Sequence, residues 1–241
     1  MDFSYKNVYG TEKHNEFMDR QRYVLDDKFL DETENYELTD GFSVEVRSYE
    51  EREQQGNLLA EVQKCTLRKS GKTVYEYCCF YNHSFIFKEI IHHSNGHRYY
   101  LFKVDLYGIS CLDVDTLEVY NYIPEGYEHK EEYMCGESFI VTDIHYDEKS
   151  NLIAYGGCYW AGLYNVMVGD FSNPLAYNPH LVSMSRVFDP EVDYCYEIDF
   201  KEWKNGRLYV MCDDGENKIE KSISVDELKD MINELTDKGE K

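Results

Sequence analysis

The stretch Ile144-His145-Tyr146-Asp147-Glu148-Lys149-Ser150-Asn151, followed by Leu152-Ile153-Ala154, decides how this chain is read. A partner occurs at Ile198-Asp199-Phe200-Lys201-Glu202-Trp203-Lys204-Asn205, followed by Gly206-Arg207-Leu208-Tyr209-Val210. In both, an alternating strand-like run ends in Asn, and a second apolar run begins at once. That is the pattern of a hairpin. Asn95-Gly96 is a looser third copy, so the Asn positions fall at 95, 151 and 205, spaced by 56 and 54 residues. Gly56-Asn57-Leu58-Leu59-Ala60 is the candidate for a fourth. A period in the mid-fifties holds three or four short strands with their loops, and such units stacked side by side make a propeller-like array.

Outward from these repeats, β-branched and aromatic residues alternate with polar ones from Phe42 onward. Turn dipeptides at Ser70-Gly71, Asn95-Gly96, Asn205-Gly206 and Asp214-Gly215 interrupt them. Each can supply the positive φ angles of a tight hairpin turn. Gly108 to Asp113 and Thr116 to Tyr120 read as the next two strands after the Asn95 hairpin. The expected fold is all-β, a small or partial β-propeller-like array of three to four antiparallel units in one domain, with a β-sandwich as the alternative. A two-residue turn at Asn95-Gly96 pairs Ile91 with Tyr100 and Phe87 with Val104, and sets Lys88 opposite Lys103.

Three segments are expected: a polar, acidic N-terminal extension over 1–41, the all-β repeat domain over 42–224, and a helix with its tail over 225–241. Within the extension, Thr11 to Leu30 has a weak helical pattern with Phe17, Val24, Leu25 and Phe29 on one side. At the other end Ser224-Val225-Asp226-Glu227 is a capping box, in which hydroxyl and carboxylate satisfy each other's backbone N–H. Val225, Leu228, Met231, Ile232 and Leu235 then form one apolar stripe, so a helix is expected from Val225 to Thr236.

The 241 residues carry 25 Lys and Arg against 47 Asp and Glu, a formal charge of −22, with 42% hydrophobic residues. The apolar share excludes a disordered chain. No run approaches the roughly 18 apolar residues of a membrane span, and the first residues lack the pattern of a signal peptide. Residues 61–110 sum to +3, so the rest carries −25. Such acidity opposes binding to nucleic acid or to anionic membranes, and admits a basic protein partner. The eight cysteines show no two-residue spacing of a zinc or redox site. They read as reduced thiols in a cytoplasmic protein.

Residues 137–146, 156–161 and 170–174, together with Tyr99 to Gly108 and Tyr122-Ile123-Pro124-Glu125, resemble an uncharacterised family of bacterial proteins. The resemblance covers roughly residues 85–175. It implies a bacterial cytosolic source and propeller-like repeats, and it carries no assigned activity.

Candidate chemistry is sparse. Asp143, His145 and Asp147 alternate on one strand and so share a face, where carboxylate and imidazole can bind a divalent cation or serve as acid and base. His92, His93 and His97 surround the Asn95 turn, but the first two point to opposite faces and read as a solvated loop. In Gly156-Gly157-Cys158-Tyr159-Trp160-Ala161-Gly162 the paired glycines predict a bulge or a close backbone approach. Trp160 is expected to fill the core, with two alternatives: a ligand-facing aromatic patch, or Cys158 as a nucleophile with His145 as its base. The chain has 23 Tyr, and Tyr107, Tyr122, Tyr159 and Tyr164 near strand ends are candidates for a recognition surface. No phosphate-binding glycine loop, G-x-S-x-G elbow or H-E-x-x-H is present. No cofactor is implied.

Three functions follow as expectations. The first is a non-enzymatic binding or scaffold module that uses a Tyr- and Trp-rich surface toward a protein or small ligand. The second is a metal-assisted or Cys-dependent hydrolase. The third is an acidic inhibitor or immunity-type protein bound to a basic partner.

Overall fold

The computed structural model describes residues 6–80, 86–124, 138–160, 162–176, 180–188, 197–213 and 215–239. Four antiparallel sheets follow one another along the chain. The first holds β1 (Leu30–Glu37), β2 (Phe42–Arg52), β3 (Leu58–Lys69) and β4 (Lys72–Cys79). The second holds β5 (Ile90–His92), β6 (Arg98–Phe102), β7 (Ile109–Asp113) and β8 (Val119–Tyr122). The third holds β9 (Ile140–Asp147), β10 (Leu152–Cys158), β11 (Tyr164–Asp170) and β12 (Val182–Ser183). The fourth holds β13 (Glu197–Lys204), β14 (Arg207–Asp213) and β15 (Lys218–Ser224). Helices α1 (Glu12–Gln21), α2 (Met184–Phe188) and α3 (Val225–Gly239) complete the described chain. Every sheet is a meander of sequence neighbours. This is the expected all-β array of antiparallel units with a C-terminal helix, and among the described residues each sheet pairs only sequence neighbours, without the return connection of a Greek key.

The repeat asparagines mark equivalent places. Asn95, Asn151 and Asn205 lie in the turns that join the first two strands of the second, third and fourth sheets. In the first sheet that place belongs to Asp40-Gly41, both with positive φ (58° and 69°), and 55 residues before Asn95. Gly56-Asn57, expected in that role, instead joins β2 to β3. Ser70-Gly71 and Asn205-Gly206 are two-residue turns with both residues at positive φ, as hairpins of that length require.

The chain divides into two compact units. The first comprises residues 1–92 and 97–138, the second 93–96 and 139–241. In the first unit, Val44, Val46, Cys65 and Leu67 of one sheet share a core with Ile90, Tyr100, Phe102 and Leu112 of the other. Fully burying one such aliphatic side chain is worth about 1.5–3 kcal/mol. Further along β2 and β3, Tyr49, Ala60 and Val62 face the other way and meet Met18 and Val24. The N-terminal segment is thus not a bare extension. It supplies α1 and two 3₁₀ turns to one face of the first sheet, and its acidic stretch is the edge strand β1, paired with β2. Edge strands tolerate charge because their outer side is solvated. Helix α1 is shorter than expected: after Gln21 the chain continues as two 3₁₀ turns, the second capped by Asp26, which accepts the Lys28 N–H at 3.1 Å.

The Asn95 hairpin is displaced by one residue from the expected register. Ile90 faces Tyr100, Ile91 faces Tyr99 and His92 faces Arg98. A one-residue slip exchanges the faces of a strand, so Ile90, rather than Ile91, joins Tyr100 and Phe102 in the core. Lys88 precedes β5 and has no place in the ladder opposite Lys103. The loop spans five residues, and only Gly96 of the Asn-Gly pair has positive φ (87°).

In the second unit, Leu152, Ala154, Val166 and Val168 pack with Ile198, Leu208, Val210 and Ile223, and α3 adds Leu228 and Ile232. The capping box forms as expected: the Ser224 N–H donates to Glu227 Oε2 at 3.0 Å, and the Glu227 N–H to Ser224 Oγ at 3.2 Å.

Candidate functional site

Strand β10 pairs with β9 on one side and β11 on the other. Opposite Gly156 and Gly157 the register slips, so that Asp143 and Val141 are their partners and Thr142 is extra. The paired glycines therefore sit at the expected bulge, and they also permit the expected close approach. A β-carbon on Gly157 would lie 2.0 Å from the Ile140 carbonyl oxygen, which only glycine avoids. Bulges bend a strand and redirect the side chains beyond it.

Beyond this bulge the chain turns from β10 into β11. The turn closes with the Gly162 N–H donating to the Tyr159 carbonyl at 2.8 Å, and Tyr159 packs edge-on against Phe139. Trp160 does not fill the core: it is 58% exposed, with Leu163 at 37% and Tyr164 at 43%. The three side chains face outward one by one, and the exposure of Trp160 is the departure from the expected core position. Leu163 was missed in the sequence, although an apolar residue between Gly162 and a strand start was the available signal.

Cys158 ends β10 opposite Ile140 and Tyr164. His145 faces Ala154, four residues back along β10. At roughly 3.3 Å per residue the two positions are about 13 Å apart, so nucleophile and base do not meet. His145 has other partners. Its Nε2 lies 2.6 Å from Asp143 Oδ2, and this bond holds the Asp143 carboxyl below the usual carboxylate range. Its ring lies flat on Phe200, centroids 3.6 Å apart and planes 7° apart, and the Trp203 indole donates to its carbonyl oxygen at 3.1 Å. Asp147 is drawn into the β9–β10 turn, where it accepts from the Ser150 amide and hydroxyl at 3.2 and 2.6 Å. The three alternating residues thus divide between a pair and a turn. Among the described residues no three His, Cys, Asp or Glu side chains converge as a metal site would need.

The histidines around Asn95 also disperse, though not as a solvated loop. His92 contacts Asp40 and His97 contacts Asp113, each at 2.6 Å. His93 is buried, hydrogen-bonded to the Phe171 carbonyl at 2.9 Å and stacked on Tyr146. Tyr107 and Tyr122 belong to the first unit. Tyr122 is buried on β8, its carbonyl lying where a β-carbon on Gly108 would fall, and Tyr107 is half-buried after β6. Neither joins the aromatic tip of the second unit's hairpin.

No described helix is long and apolar enough to cross a membrane. No protein-family model matches the chain, and no curated protein matches it.

Proposed function

We propose that this chain is a non-enzymatic binding module of the bacterial cytoplasm that engages a protein partner through the β10–β11 tip. The observation that carries the reading is Trp160, more than half exposed beside Leu163 and Tyr164 on a turn braced by a bulge and by the Tyr159–Phe139 contact. Tryptophan and tyrosine dominate binding energy at interfaces, and a rigid hairpin loses little entropy when it docks. The partner chemistry that fits is an apolar pocket with a basic rim, since the chain carries −22 and residues 139–241 hold 20 acidic against 10 basic side chains. The free thiols Cys65, Cys78, Cys111 and Cys212 suit a reducing compartment.

The hydrolase alternative lacks support from geometry, because Cys158 and His145 stand apart on their strands. The acidic-inhibitor alternative differs from the present reading in its salt dependence. Co-purification of the tagged wild-type chain and of Trp160→Ala/Tyr164→Ala tests the choice. One partner in stoichiometric amount, lost in the double variant and weakened only modestly by 0.5 M salt, supports the aromatic tip. A partner that survives the double variant but dissociates in salt supports a purely electrostatic inhibitor.

A further inference from the structure

The second unit also contains a recess whose charge is opposite to that of the chain. It has a volume of about 770 Å³ and is bounded by the β9–β10 turn, the β13–β14 turn and the start of α3. Lys149, Lys204, Arg207 and Lys229 all line it, four of the ten Lys and Arg between residues 139 and 241. Two acids are present. The Asp147 carboxylate accepts from the Ser150 amide and hydroxyl, and with Asp226 it sets two carboxylates against the four cations. Glu227, next in sequence, is tied to Ser224 by the capping box and also feels the Arg207 charge.

The four cations differ in commitment. Lys204 pairs with Glu202 at 3.3 Å. Arg207 is held by the Ser222 hydroxyl and carbonyl at 3.1 and 3.2 Å, which fixes its guanidinium at the wall. Among the described residues, Lys149 and Lys229 have no ion-pair partner, and both are exposed. Gathering four cations in one concavity is unfavourable without an anion to share. In a chain with nearly twice as many acids as bases, a recess lined by four cations and two carboxylates reverses the overall charge. Trp203 lines the same recess, and its indole N–H is bonded to the His145 carbonyl at 3.1 Å, which fixes the ring beside the cations.

We propose that this recess binds a small phosphate-bearing molecule. Lys149 and Lys229 supply the mobile charges, Arg207 supplies a fixed guanidinium suited to phosphate oxygens, and Trp203 gives a surface for a planar ring. The volume is within the range of small-molecule sites. The large negative charge elsewhere excludes long polyanions and leaves small ones. The recess is at the opposite end of β10 from Trp160, roughly 20 Å away at strand spacing. The proposal does not rest on the tip reading.

The test uses the intact chain with Trp160→Phe, so that Trp203 is the sole indole reporter of the chain's two. Inorganic phosphate and, separately, AMP are titrated at constant ionic strength with chloride as the balancing anion. A saturable change in Trp203 fluorescence is expected with both, at least tenfold weaker in Lys149→Glu/Lys229→Glu. Tighter binding of AMP than of phosphate shows that the ring is read by Trp203; equal binding shows recognition of phosphate alone. Lys149→Gln/Lys229→Gln, which adds no acid, is expected to weaken binding by a smaller factor. A linear, non-saturating response, or one unchanged in both double variants, overturns the proposal.

Discussion

Gly157 lies against Ile140 so closely that a β-carbon on it would sit 2.0 Å from the Ile140 carbonyl oxygen and 3.1 Å from the Phe139 ring. Backbone cannot retreat as a flexible side chain can, and the contact sits at the bulge that precedes the Trp160 turn. The glycine is therefore a condition of the β9–β10 pairing and of the direction in which the tip leaves the sheet.

Gly157→Ala should destabilise the chain by about 3 kcal/mol, the range of overpacked or strained sites. Gly156→Ala is the control. There a β-carbon would meet only the Asp143 side chain, at 3.3 Å, and the loss should stay below about 1 kcal/mol. Urea unfolding of the two variants measures the difference.

Acid should weaken the first unit through His14. This side chain is fully buried, its Nδ1 accepts the Gly10 N–H at 3.1 Å, and burial pushes its pKa down to about 4 from 6.5. The folded value lies below the unfolded one, so the unfolded chain takes the proton first. Stability is whole above pH 6.5 and is lost as pH falls toward 4, by about 2 kcal/mol at pH 5 from this group. His14→Asn keeps an acceptor and removes the titration. Urea melts at pH 7.5 and 5.0 should show a smaller pH effect in the variant than in the wild type.

Removing the cap of α3 should cost about 1 kcal/mol. Ser224→Ala deletes the oxygen that accepts the Glu227 N–H at 3.2 Å. The Glu227 carboxyl, held below the usual range by the Ser224 hydroxyl and amide, should then titrate at higher pH. Thermal unfolding gives the first effect, and carboxyl NMR titration the second.

Much of the fold was legible because the turns are written in local chemistry. Ser70-Gly71, Asn205-Gly206 and the Ser224–Glu227 box each need only residues close in sequence, and each forms where expected. The Asn95 register was not legible. It depends on whether the loop has two residues or five, and therefore on His93, which leaves the hairpin ladder to bond Phe171. The place of the acidic N-terminal segment was hidden for a similar reason. Tyr49, Ala60 and Val62 need a cover that only a distant element such as α1 provides.

At the candidate site the bulge was readable from Gly156-Gly157, while the fate of the residues after it was not. A Trp in a Gly-flanked turn suits core and surface equally; here Tyr159 packs on Phe139 and Trp160 stays outside. The basic recess left no local trace either. Lys149, Lys204, Arg207 and Lys229 come from three separate segments, and no spacing along the chain relates them.

Binding through the Trp160 tip is tested most directly by placing a photoreactive phenylalanine analogue at position 160 and irradiating intact cells. The same residue at Leu59, which is 53% exposed in the first unit, is the control. One discrete adduct to a partner protein from position 160, absent from position 59, is the predicted result. No adduct from 160, or the same adducts from both positions, would contradict it.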